Sequence, residues 1–266
     1  LSSFAIFSYI FWAEIYLFCM ECSDCGRRPL VCLFDSGIGG LNLLDACVRR
    51  LPQVDFYYFA DNFNVPYGNL GEGEIYALVK GVFREIAACR PSAAVVACNT
   101  VTAGCISLLR KTYGFPILGI EPALKQAWKR GGDYLVLATR STCSSPAFAS
   151  LMQKYGSRAT VCPCGDLAER IERTIFSLDG EALVSCLPQG GYSSVVLGCT
   201  HYIFIEKAIQ KRYGCPVFDG MSGTADHLAT ILGNSAHFSA DSGKIAFFCG
   251  DFTKNRAVFE KMQQIQ

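Results

Sequence analysis

The sequence has almost no net charge to offer a partner. Its 24 Lys and Arg are balanced by 23 Asp and Glu, a formal charge of +1, and charged residues make up only 18% of the chain. Without a basic excess there is no electrostatic footprint for a phosphate backbone, so no nucleic acid partner is expected. Histidine is scarce as well, with three in 266 residues. Cofactor and metal signatures are missing. The glycines after the first apolar run read Gly37-Ile38-Gly39-Gly40, which is not G-x-G-x-x-G, and no Lys-Ser/Thr pair follows, so dinucleotide loops and P-loops are both excluded. H-E-x-x-H, G-x-S-x-G and carboxylate-rich clusters are absent too.

What is there is apolar: 51% of the residues, in a chain long enough for one or two domains with a sizeable core. That excludes a disordered chain and a disulfide-stapled mini-protein. Fifteen cysteines stand out. Their number is odd, their spacing irregular, and many sit within apolar runs, so most read as reduced core residues in a cytoplasmic protein. Cys19, Cys22 and Cys25 form C-x-x-C-x-x-C, but three sulfurs without a well-spaced fourth make a poor metal site, and no metal is expected.

Residues 1–20 contain sixteen apolar residues and one charge, Glu14. The length suits a membrane span, yet neither a basic stretch before it nor a small-residue cleavage site after it is seen. A membrane anchor, a signal peptide and an extension foreign to the domain compete, and the last is preferred. Membrane contact is expected only if the segment is a real anchor. Arg27 and Arg28 would then keep the following domain on the cytoplasmic side.

From Leu30 onward short apolar runs alternate with longer amphipathic stretches, the pattern of β-α units around a parallel sheet. Strands are predicted at 30–34, 56–59, 93–97, 116–118, 134–137, 159–162, 194–197 and 216–218. Helices are predicted at 41–50, 72–89, 101–113, 122–129, 145–154, 167–176, 202–212 and 224–232. Val95-Val96-Ala97-Cys98-Asn99-Thr100 is echoed by Val195-Val196-Leu197-Gly198-Cys199-Thr200, with the two cysteines 101 residues apart. The echo predicts two similar α/β halves facing each other, each placing one cysteine in a shared cleft beyond the strands' carboxyl ends. The expected fold is α/β, with two pseudo-symmetric doubly wound domains, mainly parallel sheets and the active site between them. The expected division is an apolar extension at 1–28, a first domain of 29–121 plus 221–266, and a second of 122–220.

Cys98 is expected at a helix start, where unpaired N–H groups and the helix dipole lower a thiol's pKa. Asn99 and Thr100 can cap that helix or point donors at an anionic ligand. Taken alone, Cys98 reads more readily as a buried cysteine beside an ordinary cap. Cys199 has the same setting plus His201, which can stabilise a thiolate or relay a proton. His227 and His237 have no such neighbourhood. Asp35, at the end of the first strand, would repel a phosphate and suit an ammonium group.

These residues also carry a resemblance. Phe34-Asp35-Ser36-Gly37-Ile38-Gly39-Gly40, Ala60-Asp61 through Val65-Pro66-Tyr67-Gly68, Ala97-Cys98-Asn99-Thr100 and Leu197-Gly198-Cys199-Thr200-His201-Tyr202 resemble, in order and spacing, the motif set of the cofactor-independent aspartate/glutamate racemases, glutamate racemase in particular. Gly119-Ile120-Glu121-Pro122, Ala138-Thr139-Arg140 and Asp219 support it. The resemblance implies an isomerase that interconverts L- and D-glutamate by two-base, two-cysteine proton transfer and supplies D-glutamate for peptidoglycan. Neither pyridoxal phosphate nor metal is implied. By the same resemblance Asp35 assists Cys98, while His201 and a glutamate, Glu172 or else Glu169, assist Cys199. The implied substrate contacts are Asp35, Ser36, Tyr67, Gly68, Asn99, Thr100, Thr200 and His201. Ile203 replaces the family's usual Pro, and Asp219-Gly220 its usual Asp-Ser. An aspartate racemase is the nearest rival, but its second motif is normally Cys-Thr-Glu, where this chain has His201. A cysteine-nucleophile hydrolase would leave the Cys98 setting unexplained, and a silent binding protein would have no use for the intact set. A homodimer is compatible with the sequence, although no stretch marks an interface.

Overall fold

The computed structural model describes residues 28–233, 242–248 and 250–264. The N-terminal apolar segment, the Cys19, Cys22 and Cys25 run and His237 lie outside the described residues. Among the described residues, no helix is long and apolar enough to cross a membrane.

Among the described residues, nine strands alternate with helices in chain order: β1 Leu30–Asp35, α1 Leu41–Arg50, β2 Asp55–Ala60, α2 Glu72–Ala88, β3 Ala93–Val96, α3 Asn99–Thr112, β4 Ile117–Gly119, α4 Leu124–Arg130, β5 Tyr134–Ala138, α5 Arg140–Cys143, α6 Pro146–Tyr155, β6 Ala159–Pro163, α7 Leu167–Thr174, α8 Gly180–Val184, β7 Ser194–Gly198, α9 Glu206–Tyr213, β8 Val217–Phe218, α10 Met221–Leu232, β9 Ile245–Phe248 and α11 Phe252–Gln264. Two sheets result, ordered β4-β3-β1-β2-β9 and β6-β5-β7-β8, and every pairing in both is parallel.

Both sheets are covered on both faces, which is why their strands read as continuous apolar runs. In the first sheet Val31, Leu33, Tyr58 and Val95 face α1, α10 and α11, while Cys32, Phe34, Phe59 and Val96 face α2 and α3. In the second, Leu135, Leu137 and Leu197 pack on α7, α8 and α9, and Tyr134, Val136 and Val196 on α4 and α6. The echo in the sequence is therefore an echo of topology. The order β4-β3-β1-β2 is reproduced by β8-β7-β5-β6, with Cys98 after β3 and Cys199 after β7.

Three differences from the sequence reading matter. Helix α3 starts at Asn99 with Cys98 itself as N-cap, so Asn99 and Thr100 lie inside the first turn and neither side chain caps it. After Cys199 the chain makes a 3-10 turn, Thr200–Ile205, before α9 begins. No element is predicted beyond Leu232, whereas β9 adds an edge strand beside β2, pairing Phe56 with Ile245, and α11 follows it.

Candidate active site

In a doubly wound sheet, ligands bind at the carboxyl ends of the strands where the order reverses. Here the first sheet reverses between β1 and β3, and the second between β5 and β7. Each reversal therefore puts two loop starts side by side: Asp35 with Ala97-Cys98, and Thr139 with Cys199. The two switch points share one narrow cleft, lined by Ser36, Val65, Pro66, Tyr67, Gly68, Cys98, Asn99, Thr100, Thr139, Ala168, Cys199, Thr200 and His201. The cleft thus gathers Ser36, Tyr67, Gly68, Asn99, Thr100, Thr200 and His201 around both cysteines. No lining residue is Lys or Arg.

Glycines let the halves approach. A Cβ at Gly39 would lie 2.6 Å from His201 Nδ1 and 2.9 Å from its main-chain nitrogen, and would collide with Thr200 Oγ1. One at Gly68 would lie 2.8 Å from Thr139 Cβ. Side-chain hydrogen bonds then cross the gap. Thr100 Oγ1 and Thr139 Oγ1 are 2.9 Å apart, and Ser141 donates to the carbonyls of Gly68 and Leu70 at 3.0 and 2.9 Å.

Cys98 is buried, with its sulfur 3.6 Å from Ser36 Oγ. Its thiol is pushed up to about 12, first by burial and then by the Asp35 charge. The Val101 N–H and the Ser36 hydroxyl pull the other way. The helix-start effect read from the sequence is thus present but outweighed, because desolvation disfavours a thiolate more strongly than a few N–H groups favour it.

Asp35 does not line the cleft. It is fully buried below Ser36, with Oδ1 accepting from Gly37 N at 2.8 Å and Oδ2 from Thr200 Oγ1 at 3.2 Å. Burial raises its carboxyl to about 6 against the pull of His201. In that position it acts on Cys98 through its field and does not present a surface for a substrate ammonium.

On the other side, Cys199 Sγ lies 3.9 Å from His201 Nδ1, and His201 Nε2 lies 2.8 Å from Glu172 Oε2. Burial would drive the imidazole toward neutrality, but Cys199 and Glu172 overcome it and hold His201 well above its ordinary value, which favours the imidazolium. Burial likewise opposes the charge on Glu172, yet its bonds to His201, Ile38 N and Lys254 bring the carboxyl down to about 2. The helix pattern explains which glutamate arrives. On α7, Ala168, Ile171 and Glu172 share the buried face, whereas Glu169 turns toward Arg173 at 3.8 Å.

Sequence reasoning missed Thr139 and Thr142 as members of a buried hydroxyl cluster with Thr100. It also missed Asn62 and Lys254, which contact Glu172 at 3.0 and 2.9 Å. Thr139 had a signal, its place directly after β5 in the position matching Asp35 after β1. Lys254 had none. All eleven described cysteines are free. Seven are buried, and Cys186, which is exposed, departs from the core reading.

The arrangement sets two buried cysteines, one beside a carboxylate and one beside an imidazole–carboxylate pair, across a space whose other lining residues carry no charge. A family model for Asp/Glu/Hydantoin racemases matches residues 44–228. A glutamate racemase of Clostridium botulinum is 38% identical over 231 residues, spanning 81% of this chain and 89% of that protein. Among solved structures, Escherichia coli glutamate racemase in complex with L-glutamate and the activator UDP-MurNAc-Ala matches with a TM-score of 0.75 at 26% identity, covering 90% of this chain and 95% of that one. The Thermus thermophilus glutamate racemase in complex with β-chloro-D-alanine gives 0.69 at 27% identity, covering 90% and 94%. On its sequence and its fold, the chain belongs to the Asp/Glu/Hydantoin racemase family.

Proposed function

We infer that this chain is an isomerase that interconverts L- and D-glutamate without a redox step, supplying D-glutamate for peptidoglycan in the cytoplasm. The observation that carries the reading is the pair of cysteines, Cys98 and Cys199, lining one cleft from the ends of β3 and β7. Inversion at a Cα needs a base on one face and an acid on the other, and two sulfurs from opposed domains supply that geometry. One sulfur takes the α-proton while the other delivers a proton to the opposite face; in the reverse reaction they exchange roles. The resting charges suit this division. Cys98 is held as a neutral thiol, and the His201 imidazolium provides a counter-charge 3.9 Å from Cys199.

Asp35 assists Cys98 from beneath, and His201 with Glu172 assists Cys199. Ser36, Tyr67, Gly68, Asn99, Thr100, Thr200 and His201 surround the substrate, with Thr139 added. Asn99 Nδ2 is buried in the cleft wall with no hydrogen-bond partner, an open donor for a substrate carboxylate. Glutamate is favoured by the relatives, which are glutamate racemases, one of them solved with L-glutamate. We take the first domain to comprise residues 29–121 plus 221–266 and the second 122–220, so that the cleft lies between them.

The test is incubation with L-glutamate, and separately L-aspartate, in deuterated water without added cofactor. The expected result with glutamate is loss of optical rotation together with deuterium at Cα. Inertness toward both would refute the reading. Cys98→Ala and Cys199→Ala are each expected to abolish racemisation, and full turnover in either would refute the two-thiol assignment.

A further inference from the structure

Glu172 is held by more than its partnership with His201 requires. Oε2 accepts from His201 Nε2 at 2.8 Å and from Ile38 N at 2.9 Å. Oε1 accepts from Asn62 Nδ2 at 3.0 Å and from Lys254 Nζ at 2.9 Å. Four donors match the roughly four lone-pair positions of a carboxylate. The fourth comes from α11, 82 residues away in sequence, and the same ammonium also donates to the main-chain oxygen of Glu172 at 2.9 Å. Lys254 therefore grips one residue at two atoms while its side chain stays 22% exposed, against 4% for the glutamate.

The position of Lys254 is itself fixed. Asn62 Oδ1 accepts from Asn255 Nδ2 at 3.0 Å and from Asp251 N at 3.2 Å, so the residue that donates to Glu172 Oε1 also anchors the start of α11. The charges behind Cys199 are then Asp35 and Glu172, both negative, and His201 and Lys254, both positive. Without Lys254 the sum falls from zero to one negative charge. The other titratable groups that act on this cluster are Tyr58 from the first sheet, Cys98 across the cleft, and Cys164 and Tyr202 beside Cys199. None of these four can supply the missing positive charge.

Building on the racemase reading, we propose that Lys254 is a positioning residue of the reaction. By holding both the carboxylate and the main-chain oxygen of Glu172, it keeps the Glu172–His201 pair in register behind Cys199 and supplies the cation that balances the two buried carboxylates while that sulfur gains and loses a proton. Lys254 touches neither sulfur nor substrate; it acts through Glu172.

The full chain, Lys254→Met and Lys254→Arg are compared with L- and D-glutamate across neutral and alkaline pH. Because the two enantiomers are equally stable in water, kcat/KM must fall alike in both directions. The expected loss in Lys254→Met is about tenfold, the effect of removing one charge-assisted hydrogen bond. The acidic limb of its pH profile is expected to move to higher pH by roughly half a unit or more, since an anion forms less readily without the nearby cation. The isotope effect with α-deuterated glutamate should rise for one enantiomer only, the one whose proton goes to Cys199. Lys254→Arg should recover most of the rate and the wild-type limb. Unchanged kcat/KM and pH profile in Lys254→Met overturn the proposal. So do isotope effects that rise equally for both enantiomers with no rescue by Arg, which mark a merely structural role. If Lys254→Met loses its cooperative melt, Lys254→Gln takes its place under the same criteria. A wild-type chain inert toward glutamate would overturn the racemase reading and this one with it, whereas an active wild type matched by Lys254→Met overturns only the role of Lys254.

Discussion

Asp35→Asn should make this protein more stable and less active at neutral pH. The Asp35 carboxyl is fully buried, and burial, against the pull of His201, Gly37 N–H and Thr200, sets it at about 6 instead of 3.8. At about 1.4 kcal/mol per pH unit, that gap means the native state bears roughly 3 kcal/mol at pH 7 for keeping the group ionised. Asparagine has the same shape. Its oxygen still accepts from Gly37 N, and its amide can donate to Thr200 Oγ1, so both contacts at 2.8 and 3.2 Å survive. The raised carboxyl also dictates the pH dependence. The folded state binds this proton more tightly than the unfolded chain does, so the wild type gains stability as pH falls from about 6 to about 3.8, a gain the variant lacks. The variant's advantage is therefore greatest at neutral pH and closes below about pH 4. Urea unfolding at neutral and acid pH measures this directly, and a 3 kcal/mol gain corresponds to a Tm rise of about 6–12 °C for a domain-sized unit. Racemisation should fall, because Cys98 loses the anion that assists its proton exchange. A variant less stable than wild type at neutral pH, or equally advantaged at acid pH, would refute the argument.

Glu172→Gln should do the reverse. Its carboxyl lies at about 2 in the fold against 4.5 ordinarily, so it contributes roughly 3 kcal/mol above about pH 4.5 that is lost as pH falls toward 2. The variant is expected to be destabilised by about that amount at neutral pH, to draw level in acid, and to lose about 10- to 100-fold in kcat/KM as His201 loses its ionic partner. Denaturation at several pH values with a parallel rate assay checks both, and stability within 1 kcal/mol of wild type at neutral pH counts against it. Gly39→Ala should cost about 1–3 kcal/mol by overpacking. Its methyl would press on Thr200 and His201, so the rate should fall more than folding does. A fully active Gly39→Ala protein would mean the loop has more room than the contacts indicate.

Much of the fold was legible because parallel sheets covered on both faces leave a strong local mark. Val31, Leu33, Val95, Val136 and Val196 sit in short runs that only a buried strand explains, and Arg49 and Arg50 close α1 where the helix dipole favours cations. The edge strand β9 was missed although Ile-Ala-Phe-Phe is a reasonable strand sequence. Four residues carry little periodicity, and their partner Phe56 lies far away in the chain. The helix after Cys199 was placed too early because the 3-10 turn has the same apolar content as a helix start.

The sequence by itself determined the two-fold repetition of strand, cysteine and turn, and hence that two thiols would stand at equivalent strand ends. That information is local, because a strand's carboxyl end is marked by the residues beside it. Only the tertiary structure decided how those thiols behave. Burial, which is a property of the whole packing, lifts Cys98 above the value its helix position suggests and makes Asp35 a hidden charge, away from the cleft wall. The choice of Glu172 over Glu169 follows from which face of α7 meets Gly37 and His201. The ammonium of Lys254 reaches that carboxylate only because β9 returns the chain to the edge of the first sheet, a convergence of distant residues that leaves no trace in local sequence.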